Sequence, residues 1–166
     1  PDSLVELTAR TRKGRRLFRP SRELNERVYG IIGKALSLYD VRLHAFLFLS
    51  NHAHYIVRVR DADAVAGFTS YVNRNTGFAA RRLTGWDDDV WDHTTTVPIL
   101  DDTASVYRLK YVLSNSVKEG LVESPLSWPG ATGLHALLSE TPLEARWRPL
   151  SQMFPEPSDP IYSIDV

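Results

Sequence analysis

No cysteine occurs among the 166 residues. That absence removes disulfides, thiol catalysis and thiolate zinc sites together, and it makes a reducing cytosol the expected compartment. Long apolar runs are missing too. A membrane-spanning helix needs about 18 or more consecutive apolar residues, so no membrane partner is expected, and no signal-peptide pattern opens the chain. Net charge is the third absence: 20 Lys and Arg balance 20 Asp and Glu. Domains that bind nucleic acid are usually more basic, so the total argues mildly against such a partner.

What is present has the make-up of an ordinary globular domain, 43% hydrophobic and 24% charged. The length suits one domain with a sizeable core. Charge is segregated despite its zero sum. Residues 10–19, RTRKGRRLFR, hold six cations and no acid. Acids gather at Asp87–Asp89, at Asp101–Asp102 and in the C-terminal part. A basic face is compatible with that pattern.

Residues 4–9, LVELTA, alternate apolar and polar as a half-buried strand does. TRKGRRLF then reads as a hairpin or loop around Gly14 leading into a short second segment. RPSRELNERVYGIIGKALSLYD predicts a helix, with Ser21 as N-cap and Glu23 and Glu26 in the first turn. Leu24, Val28, Ile31, Ile32, Ala35 and Leu38 recur along it at helical spacing. Residues 41–50 and 52–60 predict two strands, which the short SNH link makes an antiparallel pair. Residues 61–85 predict a second helix, capped by Asp61 or Asp63 and stopped by Gly85, with Val65, Phe68, Val72 and Phe78 roughly along one face. WDDDVWDHTTTVPIL reads as a strand or extended loop. A third helix opens at Asp101 or Asp102 and ends near Gly120. A turn with a short helix follows. From Pro142 on, five prolines and few core residues suggest an arm or tail over residues 139–166 rather than a second domain. Residues 1–138 form the domain. The order strand, helix, strand, strand, helix, strand, helix predicts an α+β, ferredoxin-like plan of split βαβ type: an antiparallel sheet backed by helices.

The stretch SNHAHYIV, residues 50–57, puts two imidazoles into an otherwise apolar strand. Side chains at i and i+2 of a strand point the same way. His52 and His54 therefore project side by side, about 7 Å apart at the backbone given a rise of roughly 3.3 Å per residue. That spacing suits two ligands of one metal ion. It equally suits two unrelated histidines on a solvated face. In RLKYVLSNSVKEGLV, residues 108–122, Tyr111 and Asn115 stand four apart and share a helix face. Two imidazoles and an amide oxygen would leave metal positions open for water and a phosphate oxygen. A tyrosine one turn away could then attack phosphorus, aided by the cation because free phenol has a pKa of about 10. Read without the histidines, Tyr111 beside Leu109, Val112 and Leu113 is an ordinary core residue with its hydroxyl at the rim.

In combination these stretches resemble the single-tyrosine HUH transposases, specifically the REP-associated tyrosine transposase branch. LSNHAHYIV resembles that family's His-hydrophobic-His strand, and KYVLSNSVKEGLV its tyrosine helix with an amide four positions on. The upstream LFRPSRELNERVYGIIGKAL and YDVRLHAFLFLSNH, and WPG after the tyrosine helix, look like the family as well. The likeness spans roughly residues 4–135. It implies a ferredoxin-like, palm-type sheet, with His52, His54 and Asn115 as ligands of Mg2+ or Mn2+ and Tyr111 as nucleophile. It implies cleavage and rejoining of single-stranded DNA, often beside a short hairpin, through a 5′-phosphotyrosine link, and it favours a monomer. Under the same resemblance Arg12, Lys13, Arg15 and Arg16, placed between two early strands, are the expected phosphate contacts. Arg74, Arg81 and Arg82 form a weaker second patch. Arg108 and Lys110 flank Tyr111, where they would hold the scissile phosphate or stabilise the leaving oxygen. Trp86, Trp91, Trp128 and Trp147 would stack on bases or belong to the core. One stretch departs from the pattern: where relatives have Trp-x-x-Arg-Tyr, this chain has VWDHTTTVPIL, with His93, Thr94 and Thr95. That change and the zero net charge favour the alternative, a domesticated protein that binds a DNA hairpin without cutting it. A phosphodiesterase using water as nucleophile is a third reading.

Overall fold

Alternation in the first segment places it at the centre of a sheet. Strand β1 (Ser3–Thr11) pairs antiparallel with β3 (His52–Val59) on one side and with β4 (Trp91–Ile99) on the other. Strand β2 (Val41–Phe48) closes the far edge against β3, giving the order β2-β3-β1-β4 with every pair antiparallel. With α1 (Arg22–Leu38) between β1 and β2, and α2 (Ala62–Thr84) between β3 and β4, this computed structural model has the ferredoxin-like topology that the element order predicts. It describes residues 2–166. Among them no helix is long and apolar enough to cross a membrane.

Helices α1 and α2 cover one face of the sheet, where Leu7, Phe18, Ile32, Phe46 and Phe68 are almost wholly buried. Each such side chain contributes about 1.5–3 kcal/mol of burial free energy. Local chemistry fixes the helix ends. The Ser21 hydroxyl accepts from the Leu24 amide at 3.2 Å and the Asp61 carboxylate from the Ala64 amide at 2.8 Å. Gly85 takes the left-handed conformation, φ 72°, that ends α2. The buried stripe of α2 runs Phe68, Val72, Thr76, Ala79 and Ala80. Phe78, expected on that face, falls outside the 3.6-residue stripe and is exposed, as is Leu38 at the end of α1.

The opposite face carries the third helix, and here the structure departs from a continuous segment. Helix α3 (Asp102–Leu113) stops at Ser114, and a single turn, α4 (Asn115–Lys118), follows. The Ser114 hydroxyl donates to the Lys110 carbonyl at 2.6 Å, a local bond that competes with the helical ladder. Val112 and Trp128 seal this face with Ala45, Leu47, Leu49 and Ile56. A bulge between Leu43 and Ala45 shifts the register, so that Leu43 and Phe46 face α1 and α2 while Ala45 and Leu47 face α3.

Two further segments differ from expectation. The basic residues 10–19 link β1 to α1, not two strands, because after Thr11 a left-handed turn at Lys13 (φ 56°) and Gly14 (φ 65°) leads straight to the helix. The C-terminal arm also folds back onto α1. There β5 (Leu143–Arg146) pairs with β6 (Ile161–Ile164), burying Ala145 and Ile164 completely. Most of its prolines fall between these strands, where no ladder hydrogen bond is lost. A six-residue helix, α5 (Leu134–Ser139), precedes the arm.

Candidate active site

Strand β3 is buried on both faces, so its alternation divides two roles. Ala53, Tyr55 and Val57 enter the core beneath α1 and α2, while His52, His54 and Ile56 turn towards α3. The register sets Thr8 of β1 opposite His54 and Arg10 opposite His52.

The two imidazole rings stand 5.0 Å apart between centroids, nearly perpendicular. Each has its Nδ1 engaged. That of His52 donates to the Asn51 side-chain oxygen at 2.7 Å. That of His54 lies 3.1 Å from the Thr8 hydroxyl and 3.3 Å from the Glu6 carboxylate. Acceptors at Nδ1 select the tautomer whose lone pair is on Nε2. The two Nε2 atoms are thus the available donors. His52 Nε2 lies 3.4 Å from Oδ1 of Asn115, which is itself buried. His54 Nε2 is buried with no hydrogen-bond partner. Burial, and then the neighbouring His54, push the His52 pKa down to about 4, so His52 is neutral near pH 7 with its lone pair free. An orphaned imidazole nitrogen beside a second imidazole and an amide oxygen fits a hard divalent cation that keeps open positions. Among the described residues no group of three His, Asp or Glu side chains is placed to hold one, so such a site needs the Asn115 amide.

Tyr111 lies against this cluster. Its ring centroid is 5.9 Å from that of His54, and the Lys118 ammonium sits 4.1 Å over the ring. The cation–π contact holds the phenol between α4 and the sheet. Across the helix break at Ser114, Tyr111 and Asn115 still lie towards the histidines. His52, His54, Tyr111 and Asn115 all meet on the α3 face.

Glu6 escaped the sequence reading. A single Glu in an alternating strand reads as a solvent-facing residue, yet Glu6 is 3% exposed. The signal was its place on the same face as Thr8, in a strand that pairs with the histidine strand. Burial pushes the Glu6 carboxyl up, but His54 and Arg108 outweigh it and hold it below the usual carboxylate range. Arg108 donates to its second oxygen at 3.0 Å. Lys118 escaped as well, since Lys in a last helical turn is ordinary.

The other expected contacts are dispersed. Arg12 is ion-paired with Asp88 at 3.3 Å and Asp89 at 3.1 Å. The Arg15 guanidinium lies 4.2 Å over the Trp86 ring. Lys13, Arg16 and Lys110 are exposed. Arg81 and Arg82 donate to the Asp87 and Leu150 carbonyls. Trp128 is core, its indole N–H donating to the Phe48 carbonyl at 2.9 Å, and Trp91 stacks on Phe18. His93 is exposed beside Asp92 and far from burial.

No family model matches the chain, and no curated protein matches it. Solved structures do. One is a REP-associated tyrosine transposase bound to a REP hairpin, with a TM-score of 0.68 over 92% of this chain and 86% of that one at 15% identity. Another is a candidate transposase from Deinococcus radiodurans, with a TM-score of 0.49 at 9% identity over 73% of this chain and 92% of that one. The class this defines is one of fold: a four-stranded antiparallel sheet backed by helices. Within that class, this chain shares its fold with a REP-associated tyrosine transposase over 92% of its length.

Proposed function

We propose that the chain is a DNA transposase of the single-tyrosine type that cuts and rejoins single-stranded DNA. The observation that carries this reading is the convergence of His52, His54, Asn115 and Tyr111 on one face of the sheet. The likeness in fold to a transposase bound to a hairpin supports a hairpin-bearing substrate. His52 Nε2, His54 Nε2 and Asn115 Oδ1 would hold Mg2+ or Mn2+, which when bound polarises the phosphate and offsets developing charge.

The remaining chemistry belongs to the chain itself. The Tyr111 oxygen attacks the scissile phosphorus and gives up its proton to solvent. A new P–O bond to tyrosine forms as the bond to the 3′ oxygen breaks. The 3′ oxygen leaves with the electron pair and takes up a proton. A 5′-phosphotyrosine and a free 3′-hydroxyl result. Attack by that hydroxyl, or by one from another strand, reverses the step at a new joint. One phosphodiester replaces another throughout, so no external energy is required. Lys118 keeps the phenol in place. Lys110, the N–H groups of Arg108 not used by Glu6, and the cations of residues 12–16 contact phosphates.

The test is covalent trapping. The protein is incubated with Mn2+ and labelled hairpin oligonucleotides from its own genomic flanks, then run on a denaturing gel. The wild type is expected to give a protein–DNA band that Tyr111→Phe lacks. Cleavage retained in Tyr111→Phe would instead indicate water as the nucleophile. One observation favours a second reading, a hairpin binder that does not cut: Asp88 and Asp89 occupy Arg12 in the basic loop. Binding without any covalent band, across many flanks and both metals, would select it.

A further inference from the structure

We infer that Glu6 is a positioning residue that ties the candidate metal half of the site to the helix bearing Tyr111; the inference rests on the reading just given. The Glu6 side chain is 4% exposed and sits mid-sheet on β1, between Ile56 of β3 and Val97 of β4. A carboxylate in such a place costs more to bury than an apolar residue of similar size, even when it is paired. Its presence there calls for a role beyond folding.

Its two oxygens are divided between two partners. Oε1 lies 3.3 Å from His54 Nδ1 and Oε2 accepts from Arg108 at 3.0 Å. The first contact shares His54 Nδ1 with the Thr8 hydroxyl at 3.1 Å and adds the negative charge that makes Nε2 a more basic ligand. His52 has only a neutral amide at the equivalent nitrogen, so the two ligands are not equivalent. The second contact fixes α3 to the sheet. Arg108 precedes Tyr111 by three residues, close to one helical turn. A single carboxylate therefore holds both a candidate ligand and the nucleophile's helix in register. Val112 is the one fully buried residue of α3, with Leu109, Tyr111 and Leu113 packed partly buried beside it, so the Glu6–Arg108 contact adds a polar tie to an otherwise apolar seat.

Replacement by glutamine is discriminating. The amide offers one oxygen and one NH2 group, so either His54 Nδ1–H or the Arg108 guanidinium must face a donor. Replacement by leucine suits the apolar neighbours and tests folding separately. The experiment is calorimetric titration of the full chain with Mn2+ alone, alongside thermal unfolding. Wild type is expected to bind and His52→Ala to lose binding. Folded Glu6→Gln and Glu6→Leu should both bind Mn2+ about 10- to 100-fold more weakly. Arg108→Met should change Mn2+ affinity less than about threefold while slowing covalent trapping at saturating Mn2+. A purely structural Glu6 would lower the unfolding temperature and leave the affinity of the folded protein unchanged. If His52→Ala abolishes binding and both Glu6 variants bind like wild type, the inference is overturned alone. If wild type takes up no Mn2+, the metal-site reading falls and the inference with it.

Discussion

Gly30 and Gly77 both lie within long helices, and replacing each by alanine should shift stability in opposite directions. In a helix interior alanine is favoured over glycine by about 1 kcal/mol. At Gly77 a new Cβ would meet Trp91 and Val90 atoms at 3.5–3.7 Å, ordinary contact distances. Gly77→Ala should therefore stabilise by up to about 1 kcal/mol. At Gly30 the same atom would stand 2.9 Å from the Trp147 Cα and 3.1 Å from the Arg146 carbonyl carbon. These are backbone atoms where the C-terminal arm crosses α1, and no rotamer change can relieve them. Overpacking of this kind costs typically about 1–3 kcal/mol. Set against the helix-propensity gain, Gly30→Ala should lower stability by up to about 2 kcal/mol. The two variants should then differ by roughly 1–3 kcal/mol, which for a chain of this size is about 2–12 °C in unfolding temperature. Limited proteolysis should cut between β5 and β6 faster in Gly30→Ala only, since the arm must yield. Equal unfolding temperatures for the two variants, with the arm equally protected, would refute the claim that the arm is seated on α1 at Gly30.

Metal uptake should be visible without DNA: Mn2+ at about 100 times its Kd should stabilise the wild type by about 2.7 kcal/mol, and an equal rise in His52→Ala would place the ion elsewhere. Acid should loosen the arm. Burial pushes the Glu23 carboxyl up, but Arg148 and Arg27 outweigh it and hold it below its usual range. Its contribution is therefore complete above the unfolded pKa of about 4.3 and lost as pH falls through the lower folded value. Thermal unfolding followed from pH 7 downward should show a loss below about pH 4.3 that Glu23→Gln removes. Replacing Asp88 and Asp89 by asparagine frees Arg12. Anisotropy titrations should then show tighter single-stranded DNA binding, with a salt slope steeper by about 0.7 for one added phosphate contact; an unchanged slope would exclude Arg12 from the interface.

Much of this was readable from local chemistry. Ser21, Asp61 and Gly85 mark helix ends because their side chains or backbone freedom act within three or four residues. The shared face of His52 and His54 follows from the two-residue period of any strand. What resisted reading depends on partners distant in the chain. Glu6 looks solvated until β1 is paired with β3. The bulge at His44 has no residue-type signature, and it decides which β2 side chains face α3. The break at Ser114 involves neither glycine nor proline, only a serine hydroxyl that returns to Lys110. The arm's seat on α1 lay hidden because its prolines outweigh its few buried residues in composition.

The double burial of β3 has a consequence for how substitutions would sort. Odd-numbered positions 53, 55 and 57 sit under α1 and α2, whereas 52 and 54 serve the other face. A saturation scan of this strand should thus split by parity. Losses of cellular abundance should fall on the odd positions, and losses of strand transfer at normal abundance on 52 and 54. Inserting or deleting one residue would exchange the two sets, driving both imidazoles into the main core and aromatic bulk onto the face beneath α3. Under the proposed function, core packing and metal binding would be interleaved along eight residues, and a change of phase would spare neither.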